Sequence, residues 1–148
     1  MYKKILCPID GSDSSMKSLN EAIKLTKEMH AQLKFLHIVD TFYPYLDGME
    51  LVSFNDVVDH LRLQGREILE HAASLARHEG LEANVDVALC ETFSNKIADI
   101  ILEQATTWGA DLIVLGTHGR RGFNHLMLGS DAETVIRGSL IPVLTIRE

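Results

Sequence analysis

The first apolar run, residues 5–9, is short and stops at Pro8-Ile9-Asp10-Gly11, as a buried strand ended by turn residues would. Met16, Leu19, Ala22, Ile23, Leu25, Thr26 and Met29 then recur at three- and four-residue steps. That stripe predicts a helix over residues 14–30, with Ser12, Asp13 and Ser14 as candidate caps. Residues 32–40 (QLKFLHIVD) read as a second strand, and residues 41–53 are irregular, with aromatics, Pro44 and Gly48. The helical period returns over 54–79 through Val57, Leu61, Ile68, Leu69, Ala72, Leu75 and Ala76, with Gly80 as a natural stop. Residues 83–89 alternate and predict a third strand. Ser94 is expected to cap a helix through Ile97, Ile100, Ile101, Leu102 and Ala105, ending at Trp108-Gly109. Residues 111–115 predict a fourth strand, 116–128 a loop, 130–137 a short helix and 142–146 a last strand.

Strands and helices alternate throughout, and the strands are short and mostly apolar. A parallel sheet covered on both faces requires this. With no repeat, low-complexity tract or linker, residues 1–148 are expected to form one doubly wound α/β domain with right-handed crossovers. In such a sheet a ligand binds beyond the carboxyl ends of the strands, where the strand order reverses.

Charge and composition narrow the field of partners. The 148 residues carry a formal net charge of −7, and no basic cluster exceeds Lys3-Lys4 or Arg120-Arg121. This argues against nucleic-acid and anionic-membrane binding, though not against a phosphate held by backbone amides. No apolar run is long enough to cross a bilayer, and the N-terminus does not resemble a signal peptide, so a cytoplasmic location is expected. Cys7 and Cys90, both inside strand-like runs, are expected to be buried free thiols.

The stretch with chemistry in it runs from Gly116 to Ser130, between a strand and a helix. Glycines permit positive φ and close approach of backbone to ligand. The N–H groups of Ser130, Asp131 and Ala132, with the positive end of the helix dipole, form a phosphate seat. The Ser130 hydroxyl and the charge of Arg120 or Arg121 would add to it. The same glycines could also serve only as turns. The loop is neither a Walker A sequence nor a dinucleotide fingerprint.

Gly116-x2-Gly119-x9-Gly129-Ser130 matches the ATP-binding motif of the universal stress protein family, and the chain resembles that family over essentially its whole length. Residues 4–12 (KILCPIDGS), 36–40 (LHIVD), 110–116 (ADLIVLG) and 141–146 (IPVLTI) are similar to its first, second, fourth and closing strands. The resemblance implies a five-stranded parallel sheet of order 3-2-1-4-5, adenine nucleotide alpha hydrolase-like, with a nucleotide between strands one and four. It implies ATP, or ADP or AMP, with Mg²⁺ as a companion ion. Asp10 would sit near the ribose and the ion, and Ile38 would meet the adenine through its backbone. Pro8, Ile9, Leu115, Gly116, His118, Gly119, Arg120, Gly129, Ser130, Asp131 and Ala132 complete the implied set. A homodimer through the last strand, residues 142–146, is also implied. One departure stands out: Asp131 occupies a position where family members often carry an apolar residue, and its carboxylate would repel a phosphate unless a cation intervenes.

The remaining candidates carry less. His125 reads as an exposed loop histidine, while His30, His37, His60, His71 and His78 are scattered and form no zinc-type pair. Ser12, Ser14 and Ser15 read as capping residues rather than partners of Asp10 in a catalytic couple. Phe42, Tyr43, Tyr45, Leu46, Met49, Leu51 and Phe54 read as a lid or an oligomer contact. These features point to a nucleotide-dependent regulatory protein of the stress-response type, with slow ATP hydrolysis or autophosphorylation at most. Two rival classes share the residues: a phosphoester-acting enzyme using Asp10, Asp131 or His118, and an interaction module with an empty site.

Overall fold

A computed structural model describes residues 1–42, 51–118 and 128–147, with the side chains of residues 51 and 52 excepted. Its strands are β1 (Lys4–Pro8), β2 (Gln32–Asp40), β3 (Val85–Thr92), β4 (Leu112–Gly116) and β5 (Val143–Ile146). Its helices are α1 (Asp13–Met29), α2 (Leu51–His78), α3 (Ile97–Trp108) and α4 (Ser130–Gly138). The strands form one sheet of order β3-β2-β1-β4-β5, and every pairing is parallel. This is the order expected above.

Side chains alternate across the pleat, so the sheet feeds two cores. Ile5, Cys7, Leu33, Phe35, Leu112 and Val114 face Leu19, Ala22, Ile23, Leu69 and Ala72 of α1 and α2. Leu6, Leu36, Ile113 and Leu115 face Ala98, Ile101, Ala105, Ala132 and Val135 of α3 and α4. Cys7 is fully buried, and that burial pushes its thiol pKa up to about 12, against a smaller lowering by Ser18. Cys90 is also a free thiol but only half-buried, so the expectation of burial holds for Cys7 alone.

Several boundaries differ from the sequence pattern. β3 begins at Val85 rather than 83, because Glu82–Asn84 forms a 3-10 turn. It also continues to Thr92, since every residue from Val85 on has a partner on β2, ending in Asp40↔Thr92. Ser94 does not cap α3. Its N–H donates to Thr92 Oγ1 at 3.2 Å, and the helix starts after Lys96 with no side-chain cap. α2 begins three residues before the predicted helix, at Leu51. Ser12 is the cap of α1, its Oγ accepting from Ser15 N–H at 3.2 Å, and the left-handed His30 closes that helix.

Candidate functional site

β1 leads to β2 on one side, while β4, its neighbour on the other side, leads to β5. The strand order therefore reverses between β1 and β4, and the crevice beyond their carboxyl ends is the expected place for a ligand. Pro8, Ile9 and Asp10 form one wall. Leu115, Gly116, Thr117 and His118 form the other, and the N-termini of α1 and α4 stand beyond them.

The Asp10 wall is held by short polar contacts. Asp10 Oδ1 accepts from Ser12 N–H at 2.9 Å, closing an Asx turn. The N–H groups of Asp10 and Gly11 converge on Ser15 Oγ at 3.3 and 3.1 Å. Ser15 Oγ donates in turn to Ser12 O at 3.0 Å. Gly11 takes φ +83°, a conformation glycine adopts without cost. Ser12 and Ser15 thus build the turn, in keeping with the capping role read from sequence.

The second wall rests on two close backbone approaches. A Cβ on Gly116 would strike Ser14 Oγ and stand 2.9 Å from the Ser14 carbonyl. Ser14 is fully buried, and its Oγ accepts from His118 N–H at 3.4 Å. Gly129 N–H donates to Thr117 O at 2.6 Å, and a Cβ there would sit 2.8 Å from the same oxygen. Gly129 has φ −64°. Close approach, rather than positive φ, is what requires glycine at 116 and 129.

The Gly129–Thr117 bond sets the start of α4 beside the end of β4. The helix ladder opens with Glu133 N–H to Gly129 O at 2.9 Å, so the N–H groups of Ser130, Asp131 and Ala132 lie ahead of it. Gly129 provides no side-chain cap. Ser130 is exposed, Asp131 half-buried and Ala132 buried. Asp131 and Glu133 place two carboxylates in this first turn, and Glu133 pairs with Arg137 at 2.7 Å.

The other expected residues fall as follows. His118 is buried, with Nδ1 3.0 Å from Thr117 Oγ1. Ile38 is half-buried on the α3–α4 face of β2. Gly119, Arg120, Arg121 and His125 lie outside the described residues, as do Tyr43, Tyr45, Leu46 and Met49 of the aromatic segment. Phe42 meets Phe93 edge-on at 6.4 Å. Among the described residues no three His, Cys, Asp or Glu side chains gather to hold a metal, and no helix is long and apolar enough to cross a membrane.

Two contributors escaped the sequence reading. Ser14 packs under Gly116 although a serine in a helix's first turn reads as a cap. His37, counted among scattered histidines, is buried, with Nδ1 2.8 Å from Ile9 O. Its position inside an apolar strand, next to Ile38, was the available signal.

The model of the universal stress protein family matches residues 1–147. A universal stress protein of Methanocaldococcus jannaschii is 33% identical over 148 residues, covering 100% of this chain and 84% of the relative. Universal stress protein YxiE of Bacillus subtilis is 35% identical over 155 residues, covering 99% and 100%. Among solved structures, a universal stress protein from Archaeoglobus fulgidus in complex with dAMP superposes with TM-score 0.70 at 24% identity, covering 99% of this chain and 98% of its own. A universal stress protein in complex with cAMP gives TM-score 0.70 at 23% identity, covering 99% and 97%. The chain belongs to the universal stress protein family.

Proposed function

We propose that this chain binds an adenine nucleotide, ATP first among them, beyond β1 and β4, and works as a nucleotide-dependent regulatory protein with at most slow hydrolysis. The observation that carries the reading is the pair of glycine approaches: Gly116 on Ser14 seats α1 against β4, and Gly129 on Thr117 sets the N-terminus of α4, where Gly129 gives no side-chain cap, next to the end of β4. First-turn N–H groups in that position suit a phosphate. The dAMP and cAMP complexes of structural neighbours support the adenine class. The 1–147 match supports reading residues 1–148 as one domain of this kind.

In this reading Ser130, Asp131 and Ala132 donate N–H groups to phosphates, and Ile38 meets the base through its backbone. Asp10 faces the ribose. Pro8, Ile9, Leu115, Gly116 and His118 line the walls, and the motif assigns Gly119 and Arg120 to the phosphates. Among the described residues no three His, Cys, Asp or Glu side chains gather, and one Asp10 carboxylate oxygen already serves Ser12, so Mg²⁺ would draw on Asp10 through a single oxygen. Bound Mg²⁺ would lean on phosphate oxygens and water and would offset the charge of Asp131. Two free thiols fit a reducing cytoplasm.

A thermal melt tests the reading. Ligand at about a hundred times its Kd adds about 2.7 kcal/mol. For a chain of this size that raises Tm by about 5–10 °C. Such a rise with ATP, ADP or AMP is expected. No rise with any of them at millimolar concentration contradicts it.

We also infer a homodimer through β5, a terminal strand of the sheet that pairs, among the described residues, with β4 alone. Leu140 is fully exposed nearby, and Leu144 and Ile136 are partly exposed. An open edge with apolar neighbours favours pairing with its copy across a twofold axis. Light scattering should give twice the chain mass at micromolar concentration. Leu144→Lys, which sets like charges near the axis, should shift it toward monomer. A wild-type monomer would refute the assignment.

A further inference from the structure

We propose that His37 is a positioning residue for the nucleotide site, acting through the Ile9–Asp10 peptide; the functional part of this claim rests on the nucleotide-binding reading above. The β1–β2 ladder reaches its end with Ile9 N–H donating to Leu36 O at 2.8 Å. At the carbonyl of the same residue the His37 ring takes over, Nδ1 standing 2.8 Å from Ile9 O. A carbonyl only accepts, so the ring must carry its proton on Nδ1.

Ile9 C=O and Asp10 N–H are the two ends of one rigid peptide plane. His37 holds the oxygen end. Ser15 Oγ holds the nitrogen end at 3.3 Å. Together they fix the rotation of the plane that delivers Asp10 to the crevice. The ring is also braced from behind by α2. A Cβ on Gly65 would come within 2.7 Å of His37 Cδ2 and 2.8 Å of Leu89 Cδ1, so glycine lets the helix backbone close onto the imidazole. A buried carbonyl deprived of its donor is costly, and the plane would turn to find another.

The test compares His37→Leu, His37→Asn and His37→Gln with wild type in two readouts: AMP and ATP affinity by calorimetry, and amide hydrogen exchange at Asp10 and Gly11. His37→Leu keeps bulk but has no donor. His37→Asn places its amide near the Nδ1 position, while His37→Gln places it one bond farther. We expect His37→Leu and His37→Gln to weaken nucleotide binding about tenfold and to speed exchange at Asp10 and Gly11 by a similar factor. His37→Asn should restore both to within about threefold. Should His37→Leu fail to fold, the contrast between Asn and Gln carries the decision. Equal values in all variants, or His37→Asn as weak as His37→Gln, would overturn the proposal. If wild type binds no nucleotide, the functional reading falls, and exchange still decides whether His37 holds the Asp10 turn.

Discussion

Gly116→Ala is expected to lose about 3 kcal/mol of stability, an overpacking cost at the upper end of the usual range. For a chain of this length that is a fall in Tm of about 10 °C. The new methyl would meet the hydroxyl and the backbone carbonyl of Ser14 at once. The hydroxyl can rotate, but the carbonyl is fixed within the first turn of α1, and Ser14 is fully buried. Relief requires α1 and β4 to separate, which would also pull Ser14 Oγ away from His118 N–H and open the crevice. A calorimetric melt checks the stability. A variant melting within 2 °C of wild type, on the order of one kcal/mol or less, would show that the contact yields cheaply.

Ser130→Glu is expected to have the opposite profile, with an intact fold and a lost ligand. Ser130 is exposed at the first position of α4, where a carboxylate is compatible with the helix dipole. Asp131 and Glu133 already occupy the same turn, so the melting temperature should change by no more than about 2 °C, the span of a surface substitution. A phosphate drawn to those N–H groups would instead face a third negative charge. Like-charge juxtaposition costs several kcal/mol, and a loss of about a hundredfold in affinity should follow. Position 130 separates binding from folding in a way that position 129 does not, because a Cβ on Gly129 would press on Thr117 O at 2.8 Å.

The fold was readable where one physical signal dominated. The apolar run ending at Pro8-Ile9-Asp10-Gly11 marked β1, and Ser12, one of three cap candidates with Asp13 and Ser14, is the cap of α1. The sequence pattern ends β3 early because Glu91 and Thr92 are polar: Glu91 is exposed on the sheet's outer strand, whereas Thr92 is buried and its carbonyl accepts from the N–H and hydroxyl of Thr41. Ser94 misled because a serine ahead of an apolar stripe looks like a cap, whereas here it bonds back to Thr92 at the strand's end. Cys90 lies on that same outer strand, where cover is incomplete, so its thiol is only half-buried. Its pKa is raised first by this partial burial, then by Glu103, with Lys34 acting the other way. In the candidate site, the spacing of Gly116, Gly119, Gly129 and Ser130 carried the family resemblance. What spacing could not show was the partner each glycine needs. Ser14 beneath Gly116 and His37 on Ile9 O are contacts between segments far apart in sequence, fixed only once β1, β2 and β4 lie side by side, while Thr117 O against Gly129 ties the end of β4 to the start of α4.

The most direct test of the central claim is a calorimetric titration of wild type and Ser130→Glu with ATP, ADP and AMP, each with and without Mg²⁺. The account predicts saturable wild-type binding of at least one of these nucleotides and a loss of about a hundredfold in Ser130→Glu, with both proteins melting alike. Heat of binding absent for all three nucleotides, or equal affinity in the two proteins, would contradict a phosphate seat at the start of α4.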